Sequence, residues 1–162
     1  MQPWPILQLL VLLMLANGIP VVAKKILGER LALPLDGGVE FVDGRPLFGR
    51  SKTVRGVVLA ILATTVGAAL INLGWGIGAL VGSLAMVGDL VSSFLKRRMA
   101  LPPSSRASGL DQVPEALLPL LACRDPLSLT TADIGITAAL FVIGEVLLSR
   151  VFYTFHLRDR PY

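Results

Sequence analysis

The stretch from Trp75 to Arg98 reads WGIGALVGSLAMVGDLVSSFLKRR and decides the fold of the chain. Asp89 is the one charged residue before the terminal KRR run, and the apolar length matches the ~20-residue helix that crosses about 30 Å of hydrocarbon. Small residues, which let helix backbones approach closely in lipid, are frequent in and just before this stretch. They are Gly74, Gly76, Gly78, Gly82, Ser83 and Gly88. We therefore predict a central transmembrane helix over residues 75–95.

The composition places the whole chain in a membrane. Of its 162 residues, 54% are hydrophobic and 16% are charged, against about 25% charged in soluble domains. These values exclude a water-soluble globule, intrinsic disorder and a collagen-like chain. The single Cys123 excludes an internal disulfide and lacks a second soft ligand nearby for zinc. The net charge of +4 is typical of cytoplasmic loops that attract anionic head groups or phosphates, so we expect no nucleic-acid partner.

Four further apolar segments predict an all-α, polytopic membrane protein with a single integral membrane domain, residues 1–162. The five predicted spans are residues 5–23, 54–73, 75–95, 113–123 and 131–155, and the cytoplasmic loops are residues 24–53 and 96–112. Asn17 and Pro20 predict a break in the first helix, because proline removes a helical hydrogen bond. The fourth span is short and contains Pro114 and Pro119. A re-entrant segment would have the same pattern.

The basic residues predict the orientation. With five spans and the amino terminus outside, every Lys and Arg except Arg124 falls on the cytoplasmic side. Such an excess is typical of cytoplasmic loops, so we predict an N-out, C-in, multi-pass protein of the cell membrane. If residues 113–123 did not cross, the carboxyl terminus would change sides and the asymmetry would be weaker.

The first candidate site lies in the central helix itself. Asp89, Ser93 and Lys96 are spaced four and seven residues apart, which places them on one helical face near the cytoplasmic end. An ionisable residue within a membrane segment indicates a functional site. The alternative is structural: Asp89 only pairs with Lys96, and Lys96 to Arg98 is an ordinary positive-inside anchor.

The second candidate site opens the second span. Gly49, Lys52 and Thr53 bring backbone N–H groups, an ammonium and a hydroxyl to a helix start, where an anion binds well, and Arg55 follows. This is chemistry suited to a phosphate, although the spacing of a Walker A loop is absent. The alternative is a basic loop beside the membrane with a capping hydroxyl.

The third candidate site precedes the fourth span, where Asp111 is followed one turn later by Glu115. Asp89 and Asp111 are predicted at the same membrane level, and two carboxylates together with nucleotide phosphates commonly hold Mg²⁺. Alternatively, Asp111 is only the N-cap of a short helix. A further acid, Glu145, lies in the fifth span and either pairs with Arg150, lines the cavity or makes a structural hydrogen bond.

The three sites occur within an ordered set of motifs that resembles the CDP-archaeol synthase family. The motifs are the stretches 16–20 (ANGIP), 43–56, 88–98 and 110–112 (LDQ), in that order. Members of this family are five-span membrane cytidylyltransferases related to CDP-diacylglycerol synthases. The resemblance implies an enzyme that joins CTP to a lipid phosphate, releases pyrophosphate and uses Mg²⁺. Its partners are then CTP, the lipid phosphate and the bilayer, with the active site facing the cytoplasm.

The resemblance also implies roles for individual residues. Asp89, Lys96 and Asp111 would be catalytic, with Asp89 and Asp111 holding the metal. The residues implied to bind the nucleotide or phosphate are Lys52, Thr53, Arg55, Ser93 and Arg97. The family commonly has a second acid three residues after the Asp of its Asp-Gln pair, and here that position is Pro114. Either Glu115 replaces that acid as a metal ligand, or the metal is held by fewer protein oxygens.

Two other functions explain the sequence less well than a cytidylyltransferase does. A CDP-alcohol phosphatidyltransferase would need an Asp-Gly followed by Ala-Arg and two later Asp residues four apart, and that pattern is absent. A non-enzymatic membrane assembly or transporter subunit would explain the small residues and the basic loops. It would give the three polar clusters no shared purpose.

Overall fold

The computed structural model describes residues 2–101 and 111–154. Within these ranges the chain forms five helices: α1 Pro3–Leu27, α2 Val54–Leu70, α3 Trp75–Arg98, α4 Gln112–Ala122 and α5 Thr131–Thr154. The predicted all-α fold is confirmed. Predictions that concern residues 102–110 or residues from 155 onward lie outside the described residues.

The helix α3 lies at the centre of the bundle, packed against α2, α4 and α1. Two glycines explain how closely its neighbours approach. A Cβ at Gly78 would overlap the Thr64 carbonyl of α2, and a Cβ at Gly88 would overlap the Pro114 carbonyl of α4. Because only a hydrogen fits at these crossings, the small residues of α3 set the distances to both neighbours.

The bundle has a buried core and an apolar outer surface. Leu9 and Leu12 of α1 and Phe141 of α5 are fully buried in the core. Val66 of α2 and Ile143 of α5 are more than half exposed on the outside. Helices that are apolar both inside and outside are expected where the surrounding medium is lipid.

The predicted break in the first helix is wrong. The helix α1 runs unbroken for 25 residues with Pro20 inside it. Proline lacks the N–H that would bond to the carbonyl of Ala16, but neighbouring helices can compensate for such a loss in membrane helices. Pro20 lies beside Gly56 at the start of α2, and Ala16 is fully buried. The helix is therefore continuous at a proline that lies against α2.

Helix length separates the predicted spans into two groups. Pro3–Leu27, Trp75–Arg98 and Thr131–Val151 are long and apolar enough to cross a membrane. The apolar helix Val54–Leu70 has 17 residues, and α4 has 11. At 1.5 Å per residue, α4 is only about 16 Å long, roughly half of the hydrocarbon thickness. Five crossings and the N-out orientation therefore stay predictions.

Residues 28–53 form an ordered loop between α1 and α2. Its two ends pair with each other, because Leu35 N donates to Lys52 O at 2.8 Å and Val54 N donates to Leu33 O at 3.0 Å. A small hairpin projects between these ends, closed by the hydrogen bond from Phe41 N to Arg45 O at 2.8 Å. The loop thus returns to α2 along a fixed path.

Asp36 holds the base of this hairpin. Its carboxylate accepts hydrogen bonds from the backbone N–H groups of Gly49 at 2.9 Å, Phe48 at 3.0 Å and Gly38 at 3.1 Å. Burial raises the pKa of the Asp36 carboxyl, but these hydrogen bonds favour the charged form and together lower the pKa below its ordinary value. The charged form of Asp36 therefore stabilises the loop.

Candidate functional site

The charged residue in the middle of the central helix is paired with the end of the loop. Lys52 Nζ donates to both carboxylate oxygens of Asp89, at 2.6 Å and 2.5 Å. The two side chains are 22% and 26% exposed, so the pair lies at the edge of the protein interior. The pair between Asp89 and Lys96 that the structural alternative predicted is therefore wrong.

A second ion pair involves Lys96, which lies further along α3 toward its C-terminus. Lys96 Nζ lies 2.7 Å from Oδ1 of Asp111, which directly precedes α4. Asp111 occupies the N-cap position of α4, as the alternative predicts, but its carboxylate makes no capping hydrogen bond to the described start of that helix. Asp89 and Lys96 are seven residues apart on one helical face, so their Cα atoms are separated by about 10 Å along the axis, and the long Lys96 side chain reaches Asp111.

Buried polar groups of α3 lie among these pairs. Ser92 Oγ donates to Gly88 O at 2.9 Å and lies 3.4 Å from Asp111 O. Ser93 is buried one turn after Asp89. The Arg97 side chain is also buried, beside the backbone of Gly49. The structure therefore brings the predicted residues Lys52, Asp89, Ser93, Lys96, Arg97 and Asp111 to one region at the end of α3.

Two predicted phosphate-binding residues are engaged differently. Thr53 is the N-cap of α2, and its Oγ1 accepts a hydrogen bond from Gly56 N at 3.2 Å. This is the capping role that the alternative described, although the hydroxyl stands next to Lys52. Arg55 donates to the carbonyl oxygens of Gly28 and Arg30 at the start of the loop. The structure thus uses Arg55 to fasten the loop and does not place it at either ion pair.

Two buried glutamates belong to α4 and α5. Glu115 of α4 is buried within electrostatic range of Asp89 and Glu145. Glu145 of α5 is buried too, and its Oε2 has no hydrogen-bond partner in the part of the chain that the structure describes. None of the ion pairs among those residues involves Glu145, and Arg150 is exposed. The structure therefore does not form the predicted pair with Arg150, and it brings Glu145 within electrostatic range of Glu115.

The donor set determines which metal could bind. Among residues 2–101 and 111–154, no group of three His, Cys, Asp or Glu side chains is arranged to hold a metal. Asp89 and Asp111 offer carboxylate oxygens, which Mg²⁺ prefers, and Mg²⁺ commonly takes one or two carboxylates together with substrate phosphates. The residues therefore fit magnesium in combination with a phosphate-bearing ligand.

Long apolar helices and paired charges at one end of the central helix define an integral membrane protein with a polar site. The family model described as CarS-like, CDP-archaeol synthase, matches residues 5–74 and 69–162. The chain belongs to this family, and the resemblance seen in the sequence is confirmed.

Individual relatives agree with the family match. A CDP-archaeol synthase from Saccharolobus solfataricus is 42% identical over 85 residues, which are 49% of this chain and 51% of that protein. The chain thus spans about half the length of this relative. A CDP-archaeol synthase from Sulfurisphaera tokodaii is 36% identical over 136 residues, 80% of this chain and 81% of that protein.

One solved structure is also similar. It is described as an intramembrane enzyme for archaeal membrane lipids biosynthesis. The two chains are 28% identical and superpose with a TM-score of 0.67, over 85% of this chain and 90% of the other. The similarity therefore extends over most of the helical bundle.

Proposed function

We propose that this protein is a CTP-dependent cytidylyltransferase that transfers CMP to a lipid phosphate, forming a CDP-activated lipid and pyrophosphate. The observation that carries the proposal is the convergence of Lys52–Asp89 and Lys96–Asp111 at one end of α3 in a member of this family. Two ammonium groups and two carboxylates match the needs of a nucleotide triphosphate and its magnesium ion.

The lysines are suited to receive the phosphates. A charged triphosphate competes with a carboxylate for each ammonium, so Lys52 and Lys96 can exchange their aspartate partners for phosphate oxygens. The buried guanidinium of Arg97 and the backbone N–H groups at the start of α2 add positive potential nearby. Asp89 and Asp111, with Glu115 as a further candidate, would hold Mg²⁺, which when bound neutralises charge on the phosphates.

The reaction depends on positioning the two substrates and not on covalent catalysis by the protein. An oxygen of the lipid phosphate attacks the α-phosphorus of CTP, a new P–O bond forms, and the bond to the pyrophosphate leaving group breaks in line. The chain's residues orient the two substrates and stabilise the negative charge of the transition state. A covalent nucleophile is unnecessary in this scheme.

An apolar groove supports a lipid as the second substrate. It has a volume of about 280 Å³, lies between α4 and α5 and is bordered at one position by Gln112, the neighbour of Asp111. Its other lining residues are Val113, Ala116, Leu117, Ala138, Ala139 and Val142. A chain in this groove would have its phosphate end near the Lys96–Asp111 pair. On the positive-inside pattern we place this site at the cytoplasmic face of the cell membrane.

The non-enzymatic alternative, an assembly or transporter subunit, gains no support from the comparisons, because the matched family and relatives are named as synthases. The apolar groove contacts any hydrocarbon chain similarly. The choice between ether-linked isoprenoid and acyl chains is therefore a question for the assay.

The test is pyrophosphate release by the purified protein in detergent with Mg²⁺, labelled CTP and three lipid phosphates. One lipid has archaeal ether chains, one is phosphatidic acid and one is a polyprenyl phosphate. We expect turnover with one of these lipids and a labelled CDP-lipid product. CTP binding without turnover of any of the three lipids would refute the proposed substrate class. A protein that does not bind CTP would support the alternative, a non-enzymatic assembly or transporter subunit.

A matched pair of variants locates the activity. Asp111→Asn removes the partner of Lys96 and a proposed metal ligand, so we expect kcat/KM to fall by about 100-fold or more. Asp125→Asn makes the same change at an exposed acid between α4 and α5 and should leave turnover unchanged. Equal activity of both variants would show that the site lies elsewhere.

A further inference from the structure

The last residue of α3 binds the hairpin of the loop. Arg98 Nη1 lies 2.5 Å from Oδ1 of Asp43, and Arg98 Nη2 donates to Pro46 O at 2.7 Å and to Arg45 O at 3.3 Å. All of these acceptors belong to residues 43–46 of the hairpin. A planar guanidinium can satisfy several acceptors in this fixed geometry, and an ammonium cannot.

Aromatic rings complete the attachment. The Arg98 guanidinium lies 4.8 Å from the ring centre of Phe41 and 4.9 Å from that of Phe94, and the two rings meet edge to face at 5.4 Å. Arg45 of the hairpin donates to Arg98 O at 2.8 Å and to Arg97 O at 3.3 Å. These carbonyls lie at the C-terminus of α3, the negative end of the helix dipole, which favours a cation. We call this set, Phe41, Asp43, Arg45, Phe94 and Arg98, the Arg98 clasp.

The Arg98 clasp is connected to Lys52 through the backbone of the loop. Asp36 binds the N–H groups of Phe48 and Gly49, and Lys52 N donates to Gly49 O at 3.1 Å. At the other end, the Lys52 ammonium binds Asp89. Asp89 and Arg98 are nine residues apart on the same helix, about 13 Å along its axis. The loop is thus fastened to α3 at two points.

We infer that Arg98 is a positioning residue: through the hairpin it fixes where the Lys52 ammonium stands in the site. The inference deepens the proposed function, because Lys52 is there a ligand of the CTP phosphates. Without the Arg98 side chain, the loop of residues 28–53 keeps its junctions with α1 and α2 and the Arg45 hydrogen bonds to the end of α3, but it loses the ion pair and the aromatic contacts that hold the hairpin in place. Lys52 then spends less time against Asp89.

The test measures how readily Lys52 reacts with an amine-reactive ester, by mass spectrometry of the full chain in detergent. Held against Asp89, Lys52 should react slowly, and Asp89→Asn sets the upper limit. We expect Arg98→Gln to raise Lys52 labelling on the order of five- to tenfold, with Lys96 labelling unchanged. Arg50→Gln, at an exposed arginine in the same loop, is the matched control and should behave as wild type.

Two labelling results would overturn the inference. Lys52 labelling within twofold of wild type in Arg98→Gln would show that the clasp does not position this lysine. Parallel increases at Lys52 and Lys96 would show a general loss of structure instead. Should Arg98→Gln fail to fold, Phe41→Leu replaces it, because it weakens the aromatic contact and keeps the ion pair. Arg98→Lys, which keeps only the charge, should give intermediate labelling.

Turnover provides a second, separable readout. We expect Arg98→Gln to raise the KM for CTP more than it lowers kcat, because Lys52 would meet the phosphates less often but chemistry would proceed once they are bound. A labelling response in a protein without cytidylyl transfer would refute the proposed function and leave the role of Arg98 intact. A normal KM in an active Arg98→Gln enzyme would refute the role of Arg98.

Discussion

The pair between Lys52 and Asp89 makes a prediction that separates catalysis from stability. Lys52→Met removes the ammonium and keeps most of the side-chain length, and it leaves Asp89 without its partner. The carboxylate is 26% exposed, so water compensates only partly. We expect a loss of about 1–3 kcal/mol in the free energy of unfolding, and a fall in kcat/KM of about 100- to 1,000-fold, the range for removing one charge-stabilising donor.

The double variant distinguishes the two effects. In Lys52→Met with Asp89→Asn, neither side chain is left as an unpaired charge, so stability should lie closer to wild type than the sum of the single changes predicts. The difference, a coupling of about 1–3 kcal/mol, is what directly contacting residues show. Activity should stay lost, because both the phosphate donor and the metal-binding oxygen are missing.

The assays are thermal unfolding in detergent and pyrophosphate release, measured on the same preparations. Lys24→Met, at an exposed lysine near the end of α1, is the control for removing a lysine charge. If folded Lys52→Met kept kcat/KM within twofold of wild type, Lys52 would not bind the phosphates. If stability effects were additive, the ion pair would not be an energetic unit.

Three further outcomes follow from the structure. Gly78→Ala should destabilise the protein by about 1–3 kcal/mol in thermal unfolding, because the new Cβ overlaps the Thr64 carbonyl, whereas Gly76→Ala meets open space and should be tolerated. The charged Asp36 carboxylate stabilises the folded state above its unfolded-state pKa of about 3.9, and this stabilisation is lost as the pH falls through its lower folded-state pKa. Asp36→Asn should remove this stabilisation. The wild-type melting temperature should therefore fall more steeply than that of Asp36→Asn as the pH decreases below about 4. Calorimetry should show CTP affinity at least tenfold weaker in EDTA than with Mg²⁺, roughly 1.4 kcal/mol; equal affinities would exclude a metal ligand role for Asp111.

The fold was predictable where the sequence pattern was long. The 75–98 stretch identified the central helix, and Gly78 and Gly88 lie where it closely approaches α2 and α4, as the density of small residues predicted. The break at Pro20 was predicted from a local rule, because proline costs a hydrogen bond wherever it stands. Packing against Gly56 on a helix 36 residues later keeps α1 intact, and no local pattern contains that contact.

The sequence predicted which charged residues form the candidate site but not which residues they pair with. Asp89, Lys96, Asp111 and Lys52 were all identified from charge within or beside apolar runs. Helical spacing favoured a pair between Asp89 and Lys96, yet each binds a residue from another segment. The signal for Glu145 was present as an acid in an apolar span, but the lack of a partner for its Oε2 among residues 2–101 and 111–154 depends on tertiary structure.

The pairing of the charges bears on how nucleotide and metal would bind. Each lysine is neutralised by a carboxylate before any ligand arrives, which limits the cost of keeping charges partly buried. When phosphates take Lys52 and Lys96, the carboxylates of Asp89 and Asp111 are left facing further negative charge. Such like-charge contacts are unfavourable in a site of low dielectric. Without a divalent cation, bound phosphates would therefore be repelled by the freed carboxylates, whereas a bound cation would take those carboxylates as ligands. On this electrostatic ground nucleotide and metal would bind as a unit, and in their absence each lysine stays paired with its aspartate.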